Sequence, residues 1–431
     1  MNLIINRECS NSCPYCFETA ERRDGKQGLI SMENVAEFAK WARTARLGYL
    51  SLLGGEPFLH PKLTEIIALL RQTCPGTSLR LLTGGVFKKE LLDRLSPQDV
   101  ALVFNINEPR DYRNPKHFNK VLNNVEIALR KGFKVTVGFN VWRLDFDTTF
   151  MPNLVNSFGL SSFTWTVANP IRDCPSNVVP PEQFSPLARQ CFLMLQRAAF
   201  LNIECVLDCP LPLCFFNDAE LAWIRQYHPE TASGMGVCVP VLDVTPELEV
   251  LRCFALSKLP RLKLKEFRSD KEIEAWFLLH LDTTLLDSGC FSTCVSCIHF
   301  IKGRCYGGCL ACHDSIVKDE QLSNVTTLEM RMDEAIKMGK PEIALNYFEN
   351  ANYWSKTDVA ILTAAVAASE VGDWDKAFRY ATDANARSHH PDFMKTIGEF
   401  ILSIPASYHK EVPNTPQQAP QFISCTLEKS D

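Results

Sequence analysis

The sequence predicts an α/β fold in which six parallel strands alternate with helices, followed by a cysteine-rich region and an α-helical region. Apolar strand-like runs and helix-like segments alternate from Leu3 to about Ala168. Cysteines then gather between Cys238 and Cys312, and a helical pattern takes over after about Val325. The first alternation is typical of parallel strands with outer crossover helices, which place a ligand site at the carboxyl ends of the strands.

Each predicted strand is a short apolar run, and each predicted helix is a longer segment between two such runs. The strands are Leu3 to Asn6, Tyr49 to Leu53, Ser78 to Thr83, Val100 to Asn107, Lys134 to Asn140 and Ser162 to Ala168. The helices are Ser31 to Thr44, Leu63 to Arg71, Lys88 to Leu95, His117 to Lys131 and Asn153 to Phe158.

Composition excludes several classes of protein. With 431 residues and 46% hydrophobic content, the chain is long enough for two or three domains with sizeable cores. The net charge is -5 and the basic residues are dispersed, which disfavours nucleic-acid and membrane partners. Without a signal peptide or a spanning run, the chain is expected in the cytoplasm, where its 18 cysteines indicate metal sites rather than disulfides.

Three thiols follow the first strand at CxxxCxxC spacing, namely Cys9, Cys13 and Cys16. Three thiolates on one loop can bind three irons of a [4Fe–4S] cluster and leave the fourth iron open to a substrate or cofactor. Zinc is the weaker alternative, because no fourth Cys or His lies near this loop. The other alternative is a group of free thiols that lie together by chance.

A glycine pair, Gly54 and Gly55, follows the second strand and precedes Glu56 and Pro57. Glycines let the backbone approach a ligand closely, and a carboxylate accepts hydrogen bonds from an ammonium group. By itself this segment would be an ordinary strand-end turn.

Together the two motifs resemble those of the radical S-adenosylmethionine (SAM) enzymes, whose cysteine loop also has an aromatic residue, here Tyr15, before its last cysteine. The resemblance implies a partial (βα)6 barrel, a SAM-binding [4Fe–4S] cluster, and binding of the SAM amino group by Gly54 to Pro57. At the ends of the fourth and fifth strands, Asn107 and Asn140, with Asn105, either hold the ribose or carboxylate of SAM or cap loops.

The run from Cys205 to Cys214 has two further interpretations. Cys209 and Cys214 are candidate hydrogen-atom donors to a substrate radical, because an S–H bond is weak. They are also candidate cluster ligands. The alternative is buried, inert thiols on a strand and its following turn.

A second resemblance, to the SPASM extension of radical SAM enzymes, rests on Cys294-x2-Cys297 and the run from Cys305 to Cys309, after a hairpin-like segment flanked by Cys238 and Cys253. It implies one or two auxiliary [4Fe–4S] clusters. One would use Cys238, Cys253 and Cys309, with Cys290, Cys209, Cys214 or an open iron in fourth place, and the other would use Cys294, Cys297, Cys305 and Cys312. The chain departs from the family in the longer Cys297–Cys305 spacing, in the short step from Cys309 to Cys312, and in Leu248, where Gly is common.

The C-terminal region contains an internal repeat. The segment from Gly339 to Ala351 is echoed 33 positions later by Gly372 to Ala384. This resembles the tetratricopeptide repeat, and two generic helix hairpins are the alternative. The predicted domains are 1–205 (barrel), 206–325 (auxiliary clusters), 326–403 (helical module) and 404–431, a mobile tail rich in Pro and Gln.

The resemblance implies an enzyme that cleaves SAM with one electron from a flavodoxin- or ferredoxin-type reductant and abstracts hydrogen from a substrate carbon. The first hypothesis is oxidation, cross-linking or epimerisation of a peptide or protein, although no leader-binding segment precedes Cys9. The second is a sugar or aminoglycoside dehydrogenase or epimerase, and the third is a non-enzymatic iron–sulfur electron carrier. Phe254 stands where the sulfatase-maturing branch has an Asp base, which disfavours formylglycine formation.

Overall fold

The computed structural model describes residues 1–17, 28–171, 178–286, 291, 293–314, 328–351, 356–388 and 391–409. Two compact units divide the chain between Thr327 and Leu328. The first contains every described strand, and the second is helical. Among the described residues, no helix is both long and apolar enough to cross a membrane.

One mixed sheet of ten strands organises the first unit, in the order β10-β9-β8-β1-β2-β3-β4-β5-β6-β7. The strands are β1 Asn2–Asn6, β2 Tyr49–Gly54, β3 Ser78–Thr83, β4 Ala101–Asn105, β5 Val135–Val141, β6 Ser162–Val167, β7 Glu204–Leu207, β8 Asp243–Val244, β9 Glu249–Leu251 and β10 Leu262–Lys263. Strands β1 to β7 are parallel, β8 pairs with β1 in parallel, and β9 pairs antiparallel with both β8 and β10.

Helices connect the parallel strands as the alternation predicts, and polar side chains start them. Ser31 accepts a hydrogen bond from the Asn34 amide. Asn114 precedes Pro115, which occupies the first position of its helix, where the N–H that proline lacks would have no partner within the helix. The α-helices of this unit are Met32–Thr44, Leu63–Thr73, Pro115–Arg130, Phe150–Ser157, Phe184–Phe200, Asp218–Tyr227, Pro229–Ser233, Asp270–Phe277, Thr283–Leu286, Ile298–Ile301 and Leu310–Asp314.

Shorter turns complete the unit. The 3-10 helices are Pro57–Leu59, Lys89–Arg94, Pro109–Asp111, Pro181–Gln183, Leu213–Phe215, Phe254–Leu256, Leu264–Glu266 and Cys294–Ser296, and Leu278–Asp282 is a π-helical turn. The core lies between the sheet and its helices, with Leu3, Leu52, Leu81 and Leu102 from four neighbouring strands fully buried.

The predicted α/β fold class is confirmed, and all six predicted strands are present. Three details differ. The segment predicted as a helix at Lys88 to Leu95 is a 3-10 helix, and a seventh parallel strand, β7, extends the sheet. The boundary placed between residues 205 and 206 falls inside β7, because this strand is only four residues long and is rich in neither β-branched nor aromatic side chains.

The second unit packs α-helices Leu328–Lys337, Pro341–Asn350, Asp358–Glu370, Trp374–Arg387 and Pro391–Ser403, with a 3-10 turn at Ala406–Tyr408. Gly339 and Gly372 both adopt positive φ, at +69° and +80°. After each, an amide donates back to the preceding helix, from Lys340 to Ala335 and from Asp373 to Ala368. The two turns therefore match at a spacing of 33 residues, and the tetratricopeptide assignment stays a prediction. Residues 410–431 of the expected tail lie outside the described residues.

Candidate active site

The loop carrying Cys9, Cys13 and Cys16 begins where β1 ends, at the carboxyl edge of the sheet. All three thiols are half-buried. The Cys16 amide donates to the Cys13 carbonyl at 3.2 Å, and the Asn11 amide donates to the Cys9 sulfur at 3.3 Å. These bonds turn the loop so that the three thiols share one region.

The glycine pair lies directly against this loop. The Gly55 amide donates to the Asn6 carbonyl at 2.6 Å, and the Glu56 amide donates to the Glu8 carbonyl at 2.7 Å. A Cβ on Gly54 would overlap the Asn6 carbonyl oxygen, and Gly54 adopts φ of +139°, which favours glycine. A Cβ on Gly55 would overlap the Glu8 carbonyl oxygen and lie 2.5 Å from its carbon. Backbone contact therefore joins the two motifs, and side chains would separate them.

Asn6, which the sequence did not single out, holds the same junction. Its buried amide nitrogen donates to the Glu56 carbonyl at 2.8 Å and to the Glu8 carbonyl at 3.0 Å, while its oxygen accepts from the Glu8 amide. The only signal in the sequence was its position as the last residue of the strand that leads into the cysteine loop.

The Glu56 carboxylate is buried and ties the end of β2 to the end of β3. Thr83 Oγ1 donates to it at 2.7 Å, the Gly84 amide at 3.2 Å and the Phe58 amide at 3.3 Å. Burial raises the pKa of Glu56 to about 7. Pro57 begins the 3-10 helix that the carboxylate caps. Contact between Glu56 and a ligand ammonium group stays a prediction.

Tyr15 joins the predicted asparagines into one buried network. Its hydroxyl contacts Asn107 Oδ1, and it accepts from Asn105 Nδ2 at 3.1 Å and from Asn140 Nδ2 at 3.3 Å. Asn140 also donates to Asn105 at 2.7 Å. Residues picked separately from the ends of β4 and β5 thus meet beneath the cysteine loop. Whether they contact SAM stays a prediction.

The donor set of the loop fits an iron–sulfur cluster. Burial and the nearby Cys16 and Cys9 thiols raise the pKa of Cys13 to about 12, and Asn107 Nδ2 donates to its sulfur at 3.7 Å. A Cys13 thiol with a raised pKa needs positive charge beside it to become a thiolate, and iron supplies that charge to its ligands.

A second group of thiols collects Cys238, Cys253, Cys309 and Cys209. Cys309 donates a hydrogen bond to Cys238, which with the Arg252 guanidinium lowers the pKa of Cys238 to about 6. Burial, the Asp208 carboxylate and the Cys238 and Cys253 thiols raise the pKa of Cys209. The structure thus brings one of the four proposed fourth partners, Cys209, to this group.

A buried ion pair flanks the second group. Arg252 donates to both oxygens of Asp282, at 2.9 and 2.8 Å, and to the Cys238 sulfur at 3.3 Å. Both charged residues are almost fully buried. Neither had a signal in the sequence, because 30 residues separate them.

A third group contains Cys294, Cys297, Cys305 and Cys214. Burial and then the Cys305, Cys294 and Cys297 thiols raise the pKa of Cys214 to about 11, and the amide of the preceding Leu213 donates to the Cys305 sulfur at 3.5 Å. Cys312 lies one helical turn from Cys309, to whose carbonyl its amide donates at 3.0 Å.

Cys290, one of the candidate cluster ligands, lies outside the described residues. In the part of the chain that the structure describes, no three His, Cys, Asp or Glu side chains surround one point as a single bound ion requires. Thiolates that ligate a cluster instead bind separate irons.

Two sequence departures acquire physical explanations. Leu248, in the position where the SPASM resemblance expects Gly, adopts φ of +61°, so the hairpin keeps the left-handed turn with a side chain on it. Phe254 stacks on Phe17 with ring centroids 6.0 Å apart. The residues that follow Cys16 and Cys253 therefore make an aromatic contact, and neither supplies a carboxylate base.

Comparison with known proteins agrees with the geometry of the first site. Residues 3–144 match the family model of the radical SAM superfamily. The chain is similar to the GTP 3′,8-cyclase of Synechocystis sp., at 26% identity over 152 residues, covering 33% of this chain and 45% of that protein. For the GTP 3′,8-cyclase of Aquifex aeolicus the identity is 26% over 155 residues, covering 32% and 48%. The chain spans about half the length of these curated relatives.

Solved structures show the same fold. A histidine-tagged form of anSMEcpe with bound AdoMet matches with a TM-score of 0.54 at 15% identity, covering 93% of this chain and 97% of that one. Native anSMEcpe with bound AdoMet and the Cp18Cys peptide matches with a TM-score of 0.52 at 16% identity, covering 78% and 98%.

Proposed function

We propose that this chain, with a radical SAM domain over residues 3–144, cleaves SAM reductively and abstracts hydrogen from a carbon of a peptide or protein substrate. The observation that carries the proposal is the backbone contact between the cysteine loop and Gly54–Gly55. It holds the three candidate iron ligands directly against the end of β2, where the segment from Gly54 to Pro57 begins.

The residues of the site divide the work of binding. Cys9, Cys13 and Cys16 would hold the cluster, and the backbone at Gly54 and Gly55 would lie against the amino acid end of SAM. The Tyr15 network offers amide donors and acceptors to the polar groups of SAM from the ends of β4 and β5. When bound, the cluster and SAM supply a 5′-deoxyadenosyl radical.

The source of the electron and the location follow from the same chemistry. We propose a one-electron reductant of the flavodoxin or ferredoxin type, and the cytoplasm as the compartment, because iron–sulfur centres and thiols persist in reducing surroundings. Auxiliary [4Fe–4S] clusters at the second and third thiol groups are part of the proposal.

The test is SAM cleavage by the anaerobically reconstituted full chain with dithionite, with 5′-deoxyadenosine measured by mass spectrometry. We expect Cys13→Ala to abolish its release and Cys74→Ala to retain it, because Cys74 is buried away from the loop and donates to the Ala39 carbonyl. Iron-loaded wild-type protein that leaves SAM intact would instead support an electron carrier.

A peptide substrate is favoured by the helical unit. Helices Pro341–Asn350, Asp358–Glu370 and Trp374–Arg387 surround a cavity of about 280 Å³, lined by Phe348, Lys356, Ile361, Tyr380 and Arg387 among others. This volume lies at the lower edge of the range of about 300–1,000 Å³ for small-molecule pockets, and we propose that one side chain of a polypeptide enters it. The anSMEcpe structure of similar fold also holds a peptide beside AdoMet.

A small-molecule substrate is the second candidate, because the curated relatives are named for a reaction of GTP. A panel of peptides, GTP and amino sugars separates the two, with products compared by mass. Loss of two hydrogens indicates oxidation or cross-linking, and an unchanged mass with inverted stereochemistry indicates epimerisation. If only GTP or a sugar is converted, the peptide proposal fails.

A further inference from the structure

The loop from Cys209 to Cys214 leaves the end of β7 and enters the cysteine-rich region. Leu207 is the last residue of β7, and the 3-10 helix Leu213–Phe215 ends the loop. The sequence offered hydrogen donation, cluster ligation or inertness for its two thiols. Its contacts decide among these.

One side of the loop contacts the segment that leads into Cys238. The Gly236 amide donates to the Leu211 carbonyl at 2.8 Å. A Cβ on Gly236 would lie 3.3 Å from Leu213 Cγ, so the Leu213 side chain packs against the backbone of Gly236. Cys238 follows two residues after this contact, and Cys209 precedes it by two.

The other side of the loop contacts the segment from Cys305 to Cys309. The Leu213 amide donates to the Cys305 sulfur at 3.5 Å. A Cβ on Gly308 would lie 2.8 Å from Pro212 Cδ, and Gly308 adopts φ of +96°, so only glycine fits there. Cys309 is the next residue. The Tyr306 amide donates to the Gly236 carbonyl, which joins the two segments that contact the loop.

The loop is therefore held between two cysteine-bearing segments, with one of its own thiols toward each group. Cys209 lies two residues before Leu211, which contacts the segment leading into Cys238, and Cys214 follows Leu213, whose amide donates to the Cys305 sulfur. The pKa shifts agree with this pairing, because after burial Cys238 and Cys253 raise the pKa of Cys209, while Cys305, Cys294 and Cys297 raise that of Cys214.

We propose that this loop gives one ligand to each of two auxiliary iron–sulfur clusters: Cys209 joins Cys238, Cys253 and Cys309, and Cys214 joins Cys294, Cys297 and Cys305. The inference rests on the proposed function for the presence of auxiliary clusters. Cys312 lies one turn after Cys309 and, after the Cys238 hydrogen bond and burial, raises its pKa, so it lies beside the first of these clusters rather than the second, where the SPASM resemblance would put it. It completes neither set of four ligands. Four thiolates on each cluster leave no iron open to substrate, so both clusters carry electrons, and a ligating sulfur has no hydrogen to donate.

The first test counts iron and sulfide in the anaerobically reconstituted full chain carrying Cys9→Ala, Cys13→Ala and Cys16→Ala, which removes the SAM cluster and leaves the auxiliary ones. We expect about eight irons, two [4Fe–4S] clusters. Adding Cys209→Ala or Cys214→Ala should each remove about four irons or convert one cluster to a [3Fe–4S] form, seen by electron paramagnetic resonance. Cys312→Ala should retain both clusters.

Cys205→Ala is the matched control, because Cys205 is a fully buried thiol on β7 beside the same loop. An unchanged iron count together with an unchanged electron paramagnetic resonance spectrum in both Cys209→Ala and Cys214→Ala would overturn the proposal. Iron lost in Cys312→Ala but not in Cys214→Ala would overturn the assignment of Cys214.

A second test uses the wild-type chain, so a folding defect in a variant cannot affect it. Cys214 is exposed, so without a cluster it should react with iodoacetamide at alkaline pH, where part of a thiol with a pKa of about 11 is ionised. In the cluster-loaded protein we expect Cys214 to be protected, and to become labelled after iron is removed by chelation. Equal labelling in both states would contradict its role as a ligand.

The SAM cleavage assay separates failure of this inference from failure of the proposed function. With the SAM-cluster cysteines intact, Cys209→Ala and Cys214→Ala should still release 5′-deoxyadenosine while auxiliary iron is lost. Wild-type protein that cleaves SAM with only about four irons would overturn the ligand assignment alone. Wild-type protein that holds about twelve irons and leaves SAM intact would overturn the function alone.

Discussion

Gly55→Ala tests whether backbone contact between the two motifs is what makes the site. Gly55 does not need a positive φ, so the substitution acts through space alone. The new Cβ would lie 2.5 Å from the Glu8 carbonyl carbon and 2.8 Å from that of Arg7. Carbon atoms pack at about 3.5 Å or more, so the segments must separate by about 1 Å.

A shift of this size has a calculable effect. Misplacement of a substrate by about 1 Å costs on the order of 10²-fold in rate, and overpacking costs about 1–3 kcal/mol of stability. We therefore expect SAM cleavage by Gly55→Ala, expressed per intact SAM cluster, to fall about 100-fold. The assay is release of 5′-deoxyadenosine, with iron content and urea unfolding measured on the same preparation.

Gly48→Ala is the control, because Gly48 immediately precedes β2 and an added Cβ there has no atom within 4 Å. It should cleave SAM at the wild-type rate. If Gly55→Ala matches Gly48→Ala in rate per cluster, close backbone approach is not what the glycines provide.

Three further predictions concern stability. Asp282→Asn leaves the buried Arg252 charge uncompensated, so we expect a loss of about 3–5 kcal/mol in urea unfolding, and Arg252→Met in the same chain should restore much of it. Because the pKa of Glu56 is raised to about 7 in the fold, the folded state binds more protons than the unfolded state between pH 4.5 and 7, and stability falls as pH rises through this window. Glu56→Gln should flatten that decline, and an unchanged pH profile would exclude Glu56 as its source. Gly372→Ala, at φ of +80°, should cost about 1 kcal/mol in the helical unit, whereas Gly398→Ala, with open space around it inside a helix, should not destabilise.

Local patterns in the sequence were sufficient to predict the barrel. Strands buried on both faces require nearly continuous apolar runs. Leu3 to Ile5 and Leu50 to Leu53 are short apolar runs of this kind, so they indicate buried strands. The glycine pair could be recognised because only residues without a Cβ permit the contact with Glu8. Such constraints act on a few neighbouring residues and leave a visible trace.

Contacts between distant segments leave no such trace. Asn6 has the sequence context of any strand-end asparagine, and its role depends on carbonyls that β2 brings to it. The partnership of Arg252 with Asp282 and the position of Cys209 beside Cys238 depend on the packing of loops between β7, β9 and the cysteine-rich segment. Each of these side chains could pair with several others in the sequence, and only the tertiary structure selects its partner.

The placement of β1 at an interior position of the sheet also bears on synthesis of the chain. Its Leu3 pairs with Leu52 on one side and with Val244 on the other. At about 5–20 residues per second, the roughly 190 residues between these partners take about 10–40 s to emerge. During that time one edge of the strand that leads into the cysteine loop has no partner from β8. A cluster that assembles on this loop before β8 is made would therefore do so while one edge of β1 is unpaired. A nascent chain halted before β8 would expose that edge to aggregation.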